Sequence, residues 1–312
     1  MEKKVGRKRK GKPIHCWLII DKPAGMTSAA VVNAVKRITG AAKAGHAGTL
    51  DPLATGVLPI AMGEATKTVS YVVDGSKSYR FTLRWGMSTE TDDSDGSVVD
   101  ESSIRPDRAA IEAVLSQFQG EINQVPPKYS AVKINGNRAY ALARANKEVI
   151  LSPRIVNIHN IRLTGMPDTD HSEFEVDCGK GAYMRSLARD ISLALGTVGH
   201  LSKLRRTAVG SFTEEDVISL DELSAIRQSA DDSQHMLPVE TALDDIPALV
   251  LTEIEASRLR NGQAVSLLRK VDLERIAGLT EGETVLAMSD ERPVALTRYH
   301  AGEIRPVRVL NI

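Results

Sequence analysis

The sequence predicts a mixed helix-and-strand fold followed by a small all-β region, and three observations predict it. Residues 78–85 and 171–178 alternate apolar and polar side chains with the period of two that a half-buried strand requires. Residues 28–38 and 184–195 carry apolar side chains at helical spacing, and Gly40 and Gly196 close the two runs. Beyond residue 264, short apolar runs are separated by Gly278, Gly282 and Gly302, the pattern of short strands joined by turns in a small β-barrel. A chain of 312 residues has room for two domains, and its 42% hydrophobic and 26% charged residues are ordinary for a soluble globular protein.

The formal net charge is +0, but the chain opens with Lys3, Lys4, Arg7, Lys8, Arg9, Lys10 and Lys12 against Glu2 alone. Residues 1–13 are therefore expected to form a basic disordered arm, either a solvated tail or a source of non-specific, salt-sensitive affinity for phosphates. The apolar run 14–20 is too short to span a membrane and lacks a small-residue cleavage site, so it is expected to be a strand rather than a signal peptide. Cys16 and Cys178 are the only cysteines. They offer neither a disulfide framework nor a zinc spacing, which fits a reducing, cytoplasmic setting.

After that strand, Asp21-Lys22-Pro23-Ala24-Gly25-Met26-Thr27-Ser28 reads as a turn-rich link into a helix capped by Thr27 or Ser28, with Val31, Val32, Val35 and Ile38 as its apolar stripe. Gly45-His46-Ala47-Gly48-Thr49-Leu50-Asp51-Pro52-Leu53-Ala54-Thr55-Gly56-Val57-Leu58-Pro59 follows. Its glycines permit tight turns, and Pro52 biases Asp51 away from the helical region. Spacing alone makes Asp51 a turn cap; the chemical alternative is that the loop presents it to a ligand. Gly40 and Gly45 have Walker A separation, but His46 stands where that motif requires Lys, which excludes a phosphate loop.

In the strand 78–85, Tyr79 shares a face with Phe81, Leu83 and Trp85 and reads by periodicity as a core aromatic. Residues 91–96 lack carboxylates at the first and twelfth positions of a calcium loop, which leaves an acidic turn. An amphipathic helix is expected over 108–118, and Pro126-Pro127 cannot continue it. Lys128, Lys133, Arg138, Arg144 and Lys147 then interleave with Tyr129 and Tyr140, in a segment that either tracks an RNA backbone or forms a solvated hairpin.

Arg185 falls in the first turn of the helix that begins near residue 184, where the helix dipole disfavours a cation by a few tenths to about 1 kcal/mol. It therefore needs an anion: Asp190 or Glu173 nearby, a catalytic carboxylate, or a substrate phosphate. His200-Leu201-Ser202-Lys203-Leu204-Arg205-Arg206 is a basic patch with Leu204 facing inward, a composition also suited to a solvated helix end. Residues 224–248, broken by Pro238 and Pro247, read as the approach to a domain boundary.

Taken together, the Asp21–Ser28 link, the Asp51 loop, Lys77-Ser78-Tyr79-Arg80, Gly179 with Ala182-Tyr183-Met184-Arg185, and Leu204-Arg205-Arg206 closely resemble, in content and order, the TruB family of tRNA pseudouridine synthases. The resemblance runs from about residue 14 to the C-terminus, and its departures are conservative: Met184 where Ile is frequent, and Ser78 at a variable position. It implies an α+β fold in which a catalytic domain over 14–247, with a central mixed, largely antiparallel sheet flanked by helices, carries an RNA-gripping insertion at about 124–152. A PUA-like RNA-binding barrel follows over 248–312.

The implied activity is cofactor-free isomerisation of uridine-55 in the T-loop of tRNA to pseudouridine, with the target base flipped from its stack. The implied catalytic residues are Asp51, Tyr79 and Arg185. Exchange at a glycosidic carbon calls for a carboxylate, as nucleophile or as a base that permits elimination within the sugar, and Asp51 is the one the loop offers. Arg185 would keep it ionised, and Tyr79 would stack on the uracil and help remove the C5 proton. His46 would hold the disrupted RNA loop, Tyr183 and Leu204 would line the pocket, and Lys22 and Pro23 would assist substrate binding. The family implies a T-arm stem-loop as partner, a monomer, and neither membrane nor obligate protein partner. The rival reading is a non-catalytic RNA-binding or RNA-folding protein of the same architecture; a nucleotide hydrolase is disfavoured by the missing P-loop lysine.

Overall fold

The computed structural model describes residues 11–130, 132–134, 137–145, 149–229, 235–269 and 272–312. In chain order the first part comprises β1 (Cys16–Lys22), α1 (Ser28–Thr39), β2 (Ala44–His46), β3 (Thr55–Met62), α2 (Val69–Asp74), β4 (Lys77–Trp85), β5 (Met87–Thr89), β6 (Val98–Glu101), α3 (Arg108–Leu115) and β7 (Gly120–Gln124). It continues with β8 (Lys133–Ile134), β9 (Asn137–Arg138), α4 (Ala139–Arg144), β10 (Arg154–Asp168), β11 (His171–Cys178), α5 (Met184–Ala194), β12 (Gly199–Val209), β13 (Phe212–Thr213) and α6 (Leu220–Ser229). A nine-stranded sheet runs β1-β3-β12-β4-β11-β10-β7, with β2 beside β3 and β13 beside β12. Only the β3–β12 pairing is parallel, so the sheet is mixed and largely antiparallel.

One face of this sheet is covered by helices. Val31 and Val35 of α1, Ile111 of α3 and Leu187 and Ile191 of α5 join Leu18, Leu58, Phe81 and Phe174 in one continuous core. The opposite face, at the β1–β3 end, buries Trp17, Ile19, Val57 and Phe212. Helix α1 begins and ends as its sequence requires: Thr27 accepts the Ala30 N–H at 3.1 Å, and Gly40 closes the helix at φ 72°.

Two expectations change. Strand β1 runs on through Asp21 and Lys22, because its pairing with β3 continues to Lys22 opposite Gly56, so these two residues belong to the strand rather than to the link. The basic patch 200–206 is no helix end. It lies within β12, between β3 and β4 in the centre of the sheet, and its irregular pairing between Leu201 and Lys203 and between Arg206 and Ala208 disguises the period of two.

A second, five-stranded sheet runs β14 (Ala248–Val250), β16 (Thr284–Ser289), β17 (Arg292–His300), β18 (Glu303–Val309) and β15 (Val265–Ser266). Between β14 and β15 lies α7 (Glu253–Arg260), a helix the strand pattern had not indicated; α8 (Leu273–Ile276) precedes β16. This sheet has its own core, including Leu249, Leu259, Val285 and Ile304. Leu310, just past β18, returns to the first sheet and packs into the cluster of Trp17 and Phe212.

The expected basic arm, up to residue 10, lies outside the described residues, as do residues 131, 135–136 and 146–148 of the segment 124–152 and the side chains of Lys133, Arg138 and Arg144. Among the described residues no helix is long and apolar enough to cross a membrane.

Candidate active site

The site is built where the irregular loop 47–54 bridges β2 and β3. Gly48 and Gly56 take φ of 92° and 97°, which side chains with a Cβ rarely adopt. The loop is fastened from below. Leu50 N–H donates to Ser28 Oγ at 2.9 Å, and the Ser28 hydroxyl donates back to the Leu50 carbonyl at 3.1 Å. The Lys22 ammonium donates to the carbonyls of Pro23 (2.9 Å), Pro52 (3.1 Å) and Ala54 (2.6 Å). Lys22 is wholly buried, so it is a clamp beneath the loop and not the RNA-facing side chain the resemblance implied. Pro23 is exposed.

This fastening leaves the Asp51 side chain 31% exposed while its partner Arg185 is only 4% exposed. Arg185 Nη2 donates to Asp51 Oδ1 at 3.0 Å, and Nε lies 2.9 Å from Oδ2 without hydrogen-bond alignment. The same guanidinium donates to the carbonyls of Thr91 (3.1 Å) and Tyr129 (3.0 Å) and lies 3.5 Å from the buried Asp93 carboxylate. A cation at the start of α5 is thus held by two carboxylates, which offset the unfavourable dipole. Of the partners the sequence left open, Asp51 is the one engaged; Asp190 instead pairs with Arg189.

The acidic turn 91–96 belongs to this arrangement, a role its sequence did not indicate. Arg189, one turn beyond Arg185, pairs with Asp92 at 3.0 Å and donates to the Val125 carbonyl at 2.9 Å. Burial pushes the Asp92 carboxyl upward against the opposing charges of Arg189 and Arg185. Gln124 fixes the other side of the helix start, donating to the Tyr183 carbonyl at 3.1 Å and accepting its N–H at 2.8 Å. Burial also raises the Tyr183 phenol.

Opposite the loop, Tyr79 and Leu204 come from adjacent strands, Tyr79 paired in register with Arg206 and Leu204 with Phe81. Burial pushes the Tyr79 phenol upward, and the charge of the Arg206 guanidinium opposes that shift. Leu204 is 7% exposed. His46 ends β2; burial and then the charge of Arg206 lower its pKa, which keeps the ring neutral near pH 7. The charge of Asp51 acts on Lys22, Tyr79 and Tyr183, and Arg185 pairs with it directly. A cleft of about 690 Å³ flanks it, lined by Gly25, Leu53, Thr55, Arg80, Leu204 and Arg205 but not by Asp51, Tyr79 or Arg185. Among the described residues no group of three or more His, Cys, Asp or Glu side chains could hold a metal ion.

Comparison with known proteins adds an independent finding. Residues 36–184 match the family model described as TruB family pseudouridylate synthase (N terminal domain), and residues 185–244 match the tRNA pseudouridylate synthase B C-terminal domain. A tRNA pseudouridine synthase B of Rhodospirillum rubrum is 54% identical over 308 residues, covering 99% of this chain and 100% of the relative. A second from Caulobacter sp. (strain K31) is 52% identical, again covering 99% and 100%. Among solved structures, a chain of a Cbf5-Nop10-Gar1 complex is 27% identical with a TM-score of 0.72, covering 95% of this chain and 85% of that one. A chain of an H/ACA RNP bound to a substrate RNA containing 2′-deoxyuridine, 23% identical, shares the fold with a TM-score of 0.73, covering 98% and 91%.

Proposed function

Because the chain belongs to the TruB family of pseudouridylate synthases, we propose that it isomerises uridine-55 in the T-loop of tRNA to pseudouridine. The observation that carries this reading is the Asp51–Arg185 pair: a carboxylate open to a ligand, held in place by a guanidinium that is almost fully buried. The reaction breaks the N1–C1′ bond, joins C5 to C1′, removes the C5 proton and leaves a proton on N1. Asp51 is the carboxylate for the exchange at the sugar carbon, and its four-point anchored guanidinium keeps it oriented. Tyr79 stacks on the uracil and takes part in removal of the C5 proton.

His46 holds the opened RNA loop, and Tyr183 and Leu204 line the pocket for the flipped base. Pro23 meets RNA at the exposed end of the link, while Lys22 acts from below by fixing the carbonyls of Pro52 and Ala54. Residues 124–152 grip the T-arm from one side. The second sheet, over 248–312, serves as a PUA-like RNA-binding domain, with the catalytic domain over 14–247 and a basic arm before it. The enzyme acts as a cytoplasmic monomer on tRNA without a protein partner or cofactor.

Release of tritium from C5-labelled uridine in a T-arm stem-loop tests the reading. Asp51→Asn should lower release by roughly a thousandfold or more and leave stem-loop affinity within a few fold. Undiminished release by that variant would remove Asp51 from the chemistry. Tight binding by the wild type without any release would favour the non-catalytic RNA-binding alternative.

A further inference from the structure

Helix α5 starts without a cap of its own. Tyr183 occupies the capping position with an extended backbone, and its side chain accepts no N–H from the first turn. In a capping box, a Glu or Gln at the third helical position returns a bond to the N–H of the cap residue. That position is Ser186, whose hydroxyl instead donates out of the helix, to the Val125 carbonyl at 2.7 Å. The missing amide comes from another element. Gln124, at the end of β7, accepts the Tyr183 N–H at 2.8 Å through Oε1 and donates to the Tyr183 carbonyl at 3.1 Å through Nε2.

The sheet places Gln124 to do this. It ends the β7–β10 pairing opposite Arg154 and is 1% exposed, so water does not replace a bond that its amide loses. Beyond it, Pro126 and Pro127 are buried, and having no N–H they leave no donor unsatisfied there. The strap 125–129 offers its carbonyls to α5: Val125 accepts from Ser186 and from Arg189 at 2.9 Å, and Tyr129 accepts from Arg185 at 3.0 Å. These bonds all come from side chains of the helix. Among the described residues of 124–130, only Gln124 hydrogen-bonds to the backbone of the helix start. We propose that Gln124 is a positioning residue of the isomerisation: it caps α5 from β7 and so sets where Arg185 meets Asp51.

This inference rests on the function proposed above. Arg185 is the second residue of α5, so its Cα moves with the helix start. Its Nη2 donates to Asp51 Oδ1 at 3.0 Å, and misplacing a reacting group by about 1 Å can cost about a hundredfold in rate. The strap carbonyls alone do not prevent such a shift, because the long side chains of Arg185 and Arg189 can re-extend toward them as the backbone moves. Two bonds from one planar amide to the cap residue fix both its distance and its direction. The amide is also neutral and adds no charge to compete with Asp51 for the guanidinium. A Glu in its place would keep the acceptor but turn a second oxygen against the Tyr183 carbonyl.

Single-turnover tritium release at increasing stem-loop concentration separates the maximal rate from half-saturation, and hydrogen exchange at the Tyr183 amide reads the cap itself. Gln124→Met, similar in length but without either bond, should speed Tyr183 exchange, lower the maximal rate about tenfold to a hundredfold and leave half-saturation within a few fold. In an Arg185→Lys background the same change should cost much less, because the group it positions is gone. Gln124→Glu, which keeps the acceptor and loses the donor, should fall between Gln124→Met and the wild type in rate. Faster Tyr183 exchange with a full maximal rate, a loss confined to half-saturation, or losses that simply multiply with those of Arg185→Lys would overturn the inference. If Gln124→Met does not fold, the maximal rate of Gln124→Glu decides, and a full rate there overturns it too. A wild type that protects the Tyr183 amide yet releases no tritium would instead refute the proposed reaction.

Discussion

Lys22 directs its ammonium at three carbonyl oxygens around the Asp51 loop, and burial, joined by the charge of Arg206 and opposed by that of Asp51, lowers its pKa to about 8 from 10.5. The neutral amine has only two N–H groups, so the clamp loses a bond as pH rises through about 8. Single-turnover tritium release should therefore fall above about pH 8, and Lys22→Arg, charged throughout this range, should lack that alkaline limb. The limb persisting at the same pH in Lys22→Arg would sink the assignment. Stability should move the other way: a depressed native pKa makes this group's contribution most favourable above 10.5, and it is lost as pH falls through about 8. At this scale the sequence disclosed conflicts better than contacts. Arg185 was legible because a cation sits badly at a helix start, whereas Asp93 looked like any carboxylate in a polar turn until the fold set it 3.5 Å from that guanidinium. Lys22 was misjudged because a lysine beside a Pro-Gly link gives no sign that its strand runs on and buries it.

At the junction of β3 with β12, Gly56 pairs in parallel register with Arg206. A methyl group at Gly56 would meet the Arg206 carbonyl oxygen at 2.2 Å, and φ of 97° is unfavourable for any side chain. Gly56→Ala should therefore destabilise the protein by roughly 2–6 kcal/mol, the strain and overpacking together, read as a lowered urea midpoint. A shift below about 1 kcal/mol would show that the two strands can part without cost. Strands β4 and β11 were legible because their sequences alternate strictly, and in β11 the burial alternates with them. Strand β12 was not, because its two irregular pairings break the alternation and its central place buries charged residues such as Arg206. Helix α7 did carry a local signal: Thr252 caps Glu255 and Glu255 returns the bond to Thr252, a pairing readable from Thr-x-x-Glu.

The two sheets have separate cores, yet the last residues of the chain lock them together. Leu310 is 3% exposed in the cluster of Trp17, Val57 and Phe212, which belong to the first sheet rather than to its own. On either side of it, Lys67 donates to the Val309 carbonyl at 2.6 Å, and the Asn311 N–H donates to Glu64 at 2.9 Å. A second seam buries Leu243 with Leu286 and Leu296. With a self-sufficient core on each side, the coupling between the sheets resides in these seams rather than in a shared interior, so the intact protein should unfold in one calorimetric transition. Leu310→Ala removes apolar contact from the first seam, within the Trp17–Phe212 cluster, and leaves the Phe81–Phe174 core and the core of the second sheet untouched. It should cost about 2–4 kcal/mol and split the transition in two, with the second sheet melting apart from the first. A single transition at the wild-type midpoint would mean that the second seam alone carries the coupling. The separation also bears on function, because the Asp51–Arg185 pair lies wholly within the first sheet and its helices. Tritium release from a minimal stem-loop by folded Leu310→Ala should therefore stay within a few fold of the wild type below the first transition, while affinity for intact tRNA should fall more on the proposal that the second sheet binds RNA.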